Sequence, residues 1–180
     1  MKNKNYNEKE IKNFLKESNA IEEVYDEQSL KDAIRAWDYI KAKQFLTPEV
    51  ILGTHHFLMR NLRSDIAGFW RTCDVWIGGH KKHFISVQLI EEDVKKVLDS
   101  INLFIKTLPS NATKEYKEET CKQHHIQLEF VHGFEDGNGR IFRLVWLWER
   151  LKVGLPINII HADWPKIDGE QQEYYGWFKK

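Results

Sequence analysis

Apolar residues recur along most of this chain at intervals of three and four, the spacing that lines them up on one face of a helix. Ile11, Phe14 and Leu15 mark a first helix ending near Ser18. Ser29 and Asp32 have capping-box spacing, and Leu30, Ala33, Ile34, Trp37 and Ile40 then share a face. Thr47-Pro48-Glu49 opens a third helix, with an N-cap hydroxyl, a proline where no amide is needed and an acid against the dipole. Ile51, His55, Leu58, Met59 and Leu62 continue it. A fourth helix runs from Glu91 through Val94, Val97, Leu98, Ile101, Phe104 and Ile105 to a stop near Pro109. Two more span about Thr113 to Val131 and about Gly139 to Leu151, the last ended by Gly154 and Pro156.

One region breaks the helical period. "AGFWRTCDVWIGGHKKHFISV", residues 67–87, is rich in strand formers around Gly78-Gly79 and reads as a hairpin flap. The pattern therefore predicts a mainly α architecture with a small β-hairpin. The length of 180 residues suits one domain.

Composition narrows the class. Lys plus Arg and Asp plus Glu number 27 each, so no overall field draws in nucleic acid or an anionic membrane. Two cysteines, Cys73 and Cys121, make neither a disulfide framework nor a metal motif. The start of the chain lacks the apolar stretch of a signal peptide, and no apolar run is long enough to span a bilayer. The expectation is a soluble, cytoplasmic protein.

"VHGFEDGNGRIFR", residues 131–143, carries the chemistry. Glycines and charges here make either a solvated turn or a site for an anion. Gly137 and Gly139 can bring consecutive amides into a concave nest at the start of the next helix. Arg140 and Arg143, one turn apart, oppose that helix dipole unless an anion lies between them. Asp136 suits Mg²⁺, which takes few carboxylates and shares phosphate oxygens. His132 has the pKa range of a general base. A Walker loop needs Lys and then Ser or Thr after its second glycine, and here Arg140 and Ile141 follow. A dinucleotide fingerprint needs a third glycine, and residue 142 is Phe.

"HGFEDGNGRIFR" resembles the signature of Fic-domain proteins, His-Pro-Phe-x-(Asp/Glu)-Gly-Asn-Gly-Arg-x-x-Arg, with Gly133 in place of the proline. The glycine loosens the loop, or follows the same path at an entropic cost of about 0.5–1 kcal/mol. The resemblance extends over nearly the whole chain and implies a Fic-type helical bundle, a single domain over 1–180. It implies transfer of AMP from MgATP to a Ser, Thr or Tyr hydroxyl of a target protein, with ATP and Mg²⁺ as substrate and cofactor. Doc proteins, a sister group that phosphorylates, carry Ala and Lys in place of the two glycines. On this resemblance His132 is the base, Phe134 pins the loop and Asp136 holds Mg²⁺. Asn138 orients the α-phosphate, the Gly137 and Gly139 amides cradle phosphate oxygens, and Arg140 and Arg143 take the β- and γ-phosphates. Other outcomes of the same resemblance are another nucleotide donor, removal of AMP, or a non-catalytic binding module. A homodimer is compatible with it.

"ESNAIEEVYDEQSL" resembles the inhibitory motif of the same family, Ser/Thr-x-x-x-Glu-Gly/Asn, through Ser18 and Glu22, with Glu23 where Gly or Asn is expected. Residues 1–28 would then carry an inhibitory helix whose Glu22 pairs with Arg143. Gly68, Arg71 and the segment around Ile77 resemble the flap that docks the target, with Ile77 as a clamp. Tyr174 and Tyr175 resemble a helix bordering the adenine pocket, or pack in the core. The adjacent pairs His55-His56 and His124-His125 cannot face one way on a helix, which argues against zinc. His125, on a face with Cys121, Leu128 and His132, reads as a core histidine or one supporting His132.

Overall fold

The computed structural model describes residues 7–75, 85–163, 166–167 and 170–178. Among them run seven α-helices: α1 Glu8–Ile21, α2 Glu27–Lys41, α3 Pro48–Met59, α4 Ile90–Thr107, α5 Lys114–Val131, α6 Asn138–Lys152 and the short α7 Gln172–Tyr175. Two two-residue strands, β1 Lys166–Ile167 and β2 Glu170–Gln171, pair antiparallel, with Lys166 opposite Gln171.

Helix α6 is the axis of the molecule. It touches α1, α2, α3, α4 and α5, and every residue from Arg140 to Leu151 is buried. A helix buried on all sides is normally apolar all round, and this one is not. Its charged residues find partners inside. Glu149 lies 2.7 Å from His124 Nδ1, whose Nε2 lies 3.0 Å from the Ser100 hydroxyl, a polar chain running from the core to α4. Arg150 donates to the Pro156 carbonyl at 3.1 Å. Trp146 and Trp148 fill the space between.

The starts of the helices follow side-chain chemistry. Thr47 caps α3 with Pro48 behind it, and Thr113 caps α5 through the Tyr116 amide. Helix α2 departs from the capping-box expectation. Its N-cap is Asp26, whose carboxylate accepts from the Ser29 amide at 2.8 Å and the Ser29 hydroxyl at 2.7 Å. Asp32 is buried instead and accepts from Asn61, Gln28 and Arg35, tying α2 to the turn after α3. Helix α3 stops at Met59, and Leu62 is exposed in the following turn rather than on the helix face.

Helix α1 also runs further than its sequence suggests. Ser18 and Asn19 lie inside it, buried, and Glu22 is its C-cap. The Val24 amide donates to Asn19 O and the Glu23 amide to Ala20 O, each at 3.1 Å, the paired bonds of a Schellman motif. That motif requires a left-handed residue after the cap, and Glu23 has φ +58°. This is where Gly or Asn is expected, and Glu takes the same conformation under strain.

Residues 67–75 and 85–86 form turns and bends with no strand, and Val87 begins a 3-10 turn. The centre of the expected flap, including Ile77, lies outside the described residues. Cys73 is exposed and Cys121 is buried, with burial pushing its thiol pKa up. No helix among the described residues is long and apolar enough to cross a membrane.

Because Glu23 holds a left-handed backbone, Glu23→Gly should stabilise the fold by about 0.5–1 kcal/mol in urea denaturation, the relief of strain outweighing the added chain entropy. Destabilisation would mean that the Glu23 side chain contributes more than its backbone costs.

Candidate active site

Helix α5 ends and α6 begins within a six-residue crossing, residues 132–137, and the chemistry gathers there. His132 is the C-cap of α5 and is left-handed, with φ +48°. Its amide still donates to Leu128 O, and Nδ1 lies 3.4 Å from Glu129 O. A carbonyl only accepts, so Nδ1 carries the proton and Nε2 is the basic nitrogen.

The loop from Gly133 to Gly137 is held by grips on its backbone. Asn138 closes it from within: Oδ1 accepts from the Phe134 amide and Nδ2 donates to the Phe134 carbonyl, both at 2.8 Å. These bonds engage the Asn138 amide on both sides, so the residue shapes the loop. Phe134 is fully buried and stacks on His55 with ring centres 3.8 Å apart. His55, on α3, accepts from the Gly68 amide at Nδ1 (2.9 Å) and donates from Nε2 to Asp136 O (3.1 Å). Both bonds suit a neutral ring, and burial holds its pKa down to about 4. Arg71 donates from Nε to His132 O at 2.7 Å, while its own amide donates to Gly133 O at 2.9 Å.

Gly133 is not in the left-handed region. A Cβ there would lie 3.1 Å from Ile90 Cγ2 and 3.2 Å from the Trp70 ring. A side chain there would need Trp70 and Ile90 to give by a few tenths of an ångström, so close packing, rather than freedom in φ, is what the glycine answers to here. Gly137 does need its freedom: it is the N-cap of α6 with φ +83° and sits against Met59 and His55.

The two arginines of α6 differ. Arg143 is buried and donates to Ser18 Oγ and Ser18 O, each at 2.9 Å, and to Glu22 Oε1 at 2.6 Å. Burial alone would lower its pKa; Glu22, with Tyr174 and Glu129 nearby, more than reverses that. Arg140 has weaker company. It reaches Met59 Sδ at 3.3 Å and Asp136 Oδ1 at 3.6 Å, and its buried Nε has no partner among the described residues. Burial lowers its pKa. A Cβ built on Gly139 would fall 2.6 Å from Glu22 Oε1 and 2.8 Å from Arg143 Nη1, so the Glu22 carboxylate lies directly over the first turn of α6. An anion is therefore already seated where the helix dipole and Arg143 favour one. Asp136, half-exposed beside it, accepts from the Gly137 amide at 2.5 Å through Oδ1 and lies 3.6 Å from Arg140.

These features fit a polyphosphate with one divalent ion. The carboxylate on Arg143 marks one anion position over the start of α6, with Arg140 one turn earlier, and Asp136 offers the single carboxylate that Mg²⁺ needs beside phosphate oxygens. No group of three or more metal-ligating side chains occurs among the described residues.

Behind the arginines, three expectations resolve differently. Tyr174 is a core residue, 2% exposed, with its hydroxyl 2.8 Å from His125 Nε2 and its ring 5.7 Å from the Arg143 guanidinium. That burial leaves no face of Tyr174 for a base, and Tyr175 is half-buried beside it. His125 bonds Phe142 O and Tyr174, anchoring α7 to α6, and burial with Arg143 nearby lowers its pKa to about 3. Sequence reasoning passed over Glu129. Its side chain is 13% exposed, Oε1 lies 3.9 Å from His125 Nε2, and burial raises its pKa to about 8 against the pull of Arg143. It also passed over His55 and Arg71 as grips; a histidine on the apolar stripe of α3 was the available signal for the first.

A model of the Fic/DOC family matches residues 45–149. The protein adenylyltransferase Fic of Nematostella vectensis is 24% identical over 136 residues, which cover 76% of this chain and 29% of that protein. The chain thus spans less than a third of that relative. A Fic domain containing signaling protein from Bacteroides thetaiotaomicron superposes with a TM-score of 0.69 at 18% identity, over 89% of this chain and 72% of the other. Fic-1 from C. elegans gives 0.65 at 19% identity, over 86% and 52%. Both share the mainly helical fold.

The buried titratable groups set a pH dependence. The acid form of Glu129 is retained in the fold up to about pH 8, whereas an unfolded Glu ionises near 4.3, so its contribution is lost as pH rises. Glu149, also raised by burial, acts in the same direction. His55 and His125 act oppositely: their contribution is present above about pH 6.5 and lost as pH falls. Stability in urea should therefore be nearly level between about pH 4.5 and 6.5, where the two Glu and the two His offset one another, and fall by about 2 kcal/mol from there to pH 8. Glu129→Gln should flatten that alkaline limb; an unchanged limb would contradict the assignment.

Proposed function

We propose that this chain, which belongs to the Fic/DOC family, transfers AMP from MgATP to a hydroxyl of a protein and is restrained by its own Glu22. The observation that carries the reading is the Glu22 carboxylate on Arg143 above the first turn of α6, an acid from α1 in an anion site built at the start of another helix.

In the proposed reaction, His132 Nε2 takes the proton of the acceptor hydroxyl as its oxygen attacks the α-phosphorus. The new P–O bond forms while the bond to the pyrophosphate breaks, and pyrophosphate leaves. Arg140 holds the β-phosphate and Arg143 the γ-phosphate, while the Gly139 amide holds a phosphate oxygen at the start of α6; the Gly137 amide, which donates to Asp136 Oδ1 at 2.5 Å, joins it only by turning from that carboxylate. Such preorganised donors stabilise charge where it develops, which is usually the main source of rate in acyl- and phosphoryl-transfer sites. Asn138 keeps the loop in shape through Phe134. Mg²⁺, held by Asp136, would neutralise phosphate charge and help orient the leaving group. The segment 67–87 would seat the acceptor as a flap, with Ile77 at its clamp. Tyr175, half-buried at the end of α7, would border the base.

Arg143 cannot serve Glu22 and a γ-phosphate together. Charged hydrogen bonds of this kind contribute about 1.5–3 kcal/mol, which restrains turnover about 10- to 100-fold and remains releasable. Ser18 helps by holding the other edge of the guanidinium, so restraint resides in α1 as a unit.

The test compares wild type, Glu22→Gly and Glu22→Gly/His132→Ala with α-labelled ATP, Mg²⁺ and protein lysate. Label should be weak with wild type, rise at least tenfold with Glu22→Gly and vanish when His132 is also lost. An increment of one AMP in intact mass identifies the transferred group. Silence of Glu22→Gly while it still binds ATP would remove AMP transfer, and a different increment would assign another donor.

A further inference from the structure

The side chain of Arg71 is fully buried, and the nearest carboxylate, on the exposed Asp74, is 3.9 Å away. A buried cation without a close acid must spend its donors on something else. Here they go to three main-chain carbonyls. Nε donates to His132 O at 2.7 Å, Nη1 to Cys73 O at 3.0 Å and Nη2 to Ile85 O at 2.6 Å. The Arg71 amide adds Gly133 O at 2.9 Å. One residue thus binds two consecutive carbonyls at the end of α5 and both ends of the segment that leaves at Cys73 and returns at Ile85.

This matters because His132 is left-handed, an uncommon conformation that costs a side-chain-bearing residue energy. Its carbonyl has left the helix and points away from the α5 ladder, and the arginine supplies the donor that holds it there. Gly133 O, next in line, is held by the same residue's backbone. On the other side of the loop, His55 performs the matching task through Gly68 and Asp136. Gly68 and Arg71 lie three residues apart, so a single turn grips the loop at Asp136 and at His132.

We infer that Arg71 is a positioning residue for the base: its three-carbonyl fork fixes the left-handed pose of His132 and ties it to the main chain at Cys73 and Ile85. The inference deepens the proposed transfer reaction and rests on that reading for its kinetic consequence. Lysine has a point charge on a flexible stem and cannot match the planar fork, so it keeps part of the grip at most. Misplacing a reacting group by about 1 Å costs about 100-fold in rate without changing the affinity for a substrate gripped elsewhere.

The experiment places Arg71→Lys and Arg71→Met in the Glu22→Gly background. Three quantities are measured: MgATP affinity by calorimetry, the kcat of transfer, and amide exchange by mass spectrometry. MgATP affinity should stay within twofold, since residues 137–143 are untouched. The kcat should fall about 100-fold with Met and less with Lys, and exchange should quicken over residues 85–87 and 132–134 while α2 and α4 stay protected. An unchanged kcat would overturn the proposal, as would equal losses of affinity and rate, which describe a general loosening. If Arg71→Met does not fold, Arg71→Lys is judged by the same three readouts. If Glu22→Gly itself transfers nothing, the transfer reading fails separately. The grip is then judged by exchange alone, and unaltered exchange at 132–134 overturns it.

Discussion

The pairing of buried Arg143, at the start of α6, with the Glu22 carboxylate from α1 organises this molecule. Arg143 sits in the most buried helix, at the end where the dipole is positive, so desolvation and dipole both oppose its charge. Ser18 and Glu22 resolve the conflict, and both belong to the last turn of α1. The Schellman ending of α1 is therefore more than a local stop. It sets the C-cap side chain over Gly139, where a bulkier residue would collide with the ion pair. Arg140, one turn earlier, has only Asp136 at 3.6 Å and Met59 Sδ for company, and its buried Nε has no partner among the described residues.

Around this pair the loop is shaped by what grips its backbone. Asn138 spans it from inside, His55 holds Asp136 O, and Arg71 holds His132 O and Gly133 O. Side chains that would perform chemistry, His132 and Asp136, are thus aimed by neighbours that touch only their main chain. A site built this way depends on rigid supports, and the supports come from α3 and the turn that follows it.

The helices were legible because amphipathic stripes survive in α1 to α5, and the loop was legible because its glycines and charges fit no other local structure. What escaped was tertiary. Ser18 and Asn19 look like breakers, yet α1 continues through them because Ser18 Oγ has a partner 125 residues away. Asp32 has capping-box spacing from Ser29, but its carboxylate is drawn inward by Asn61 while Asp26 takes the cap. His55 and Arg71 act across 81 and 61 residues, distances at which no spacing rule operates. Gly133 invited an argument about backbone freedom, whereas the indole of Trp70 and the methyl of Ile90 supply the physical reason. Tyr174 was open between a pocket aromatic and a core residue, and its contacts with His125 and Arg143 place it in the core.

The central claim is that Glu22 occupies the position a γ-phosphate would take on Arg143. The most direct measurement is the ratio of ADP to ATP dissociation constants, by calorimetry with Mg²⁺, for wild type and for Glu22→Gly. If the claim holds, wild type binds the two nucleotides about equally, and Glu22→Gly prefers ATP by roughly tenfold or more, the factor worth about 1.4 kcal/mol. The same ratio in both proteins would contradict it, because the γ-phosphate would then be indifferent to whether the carboxylate is there.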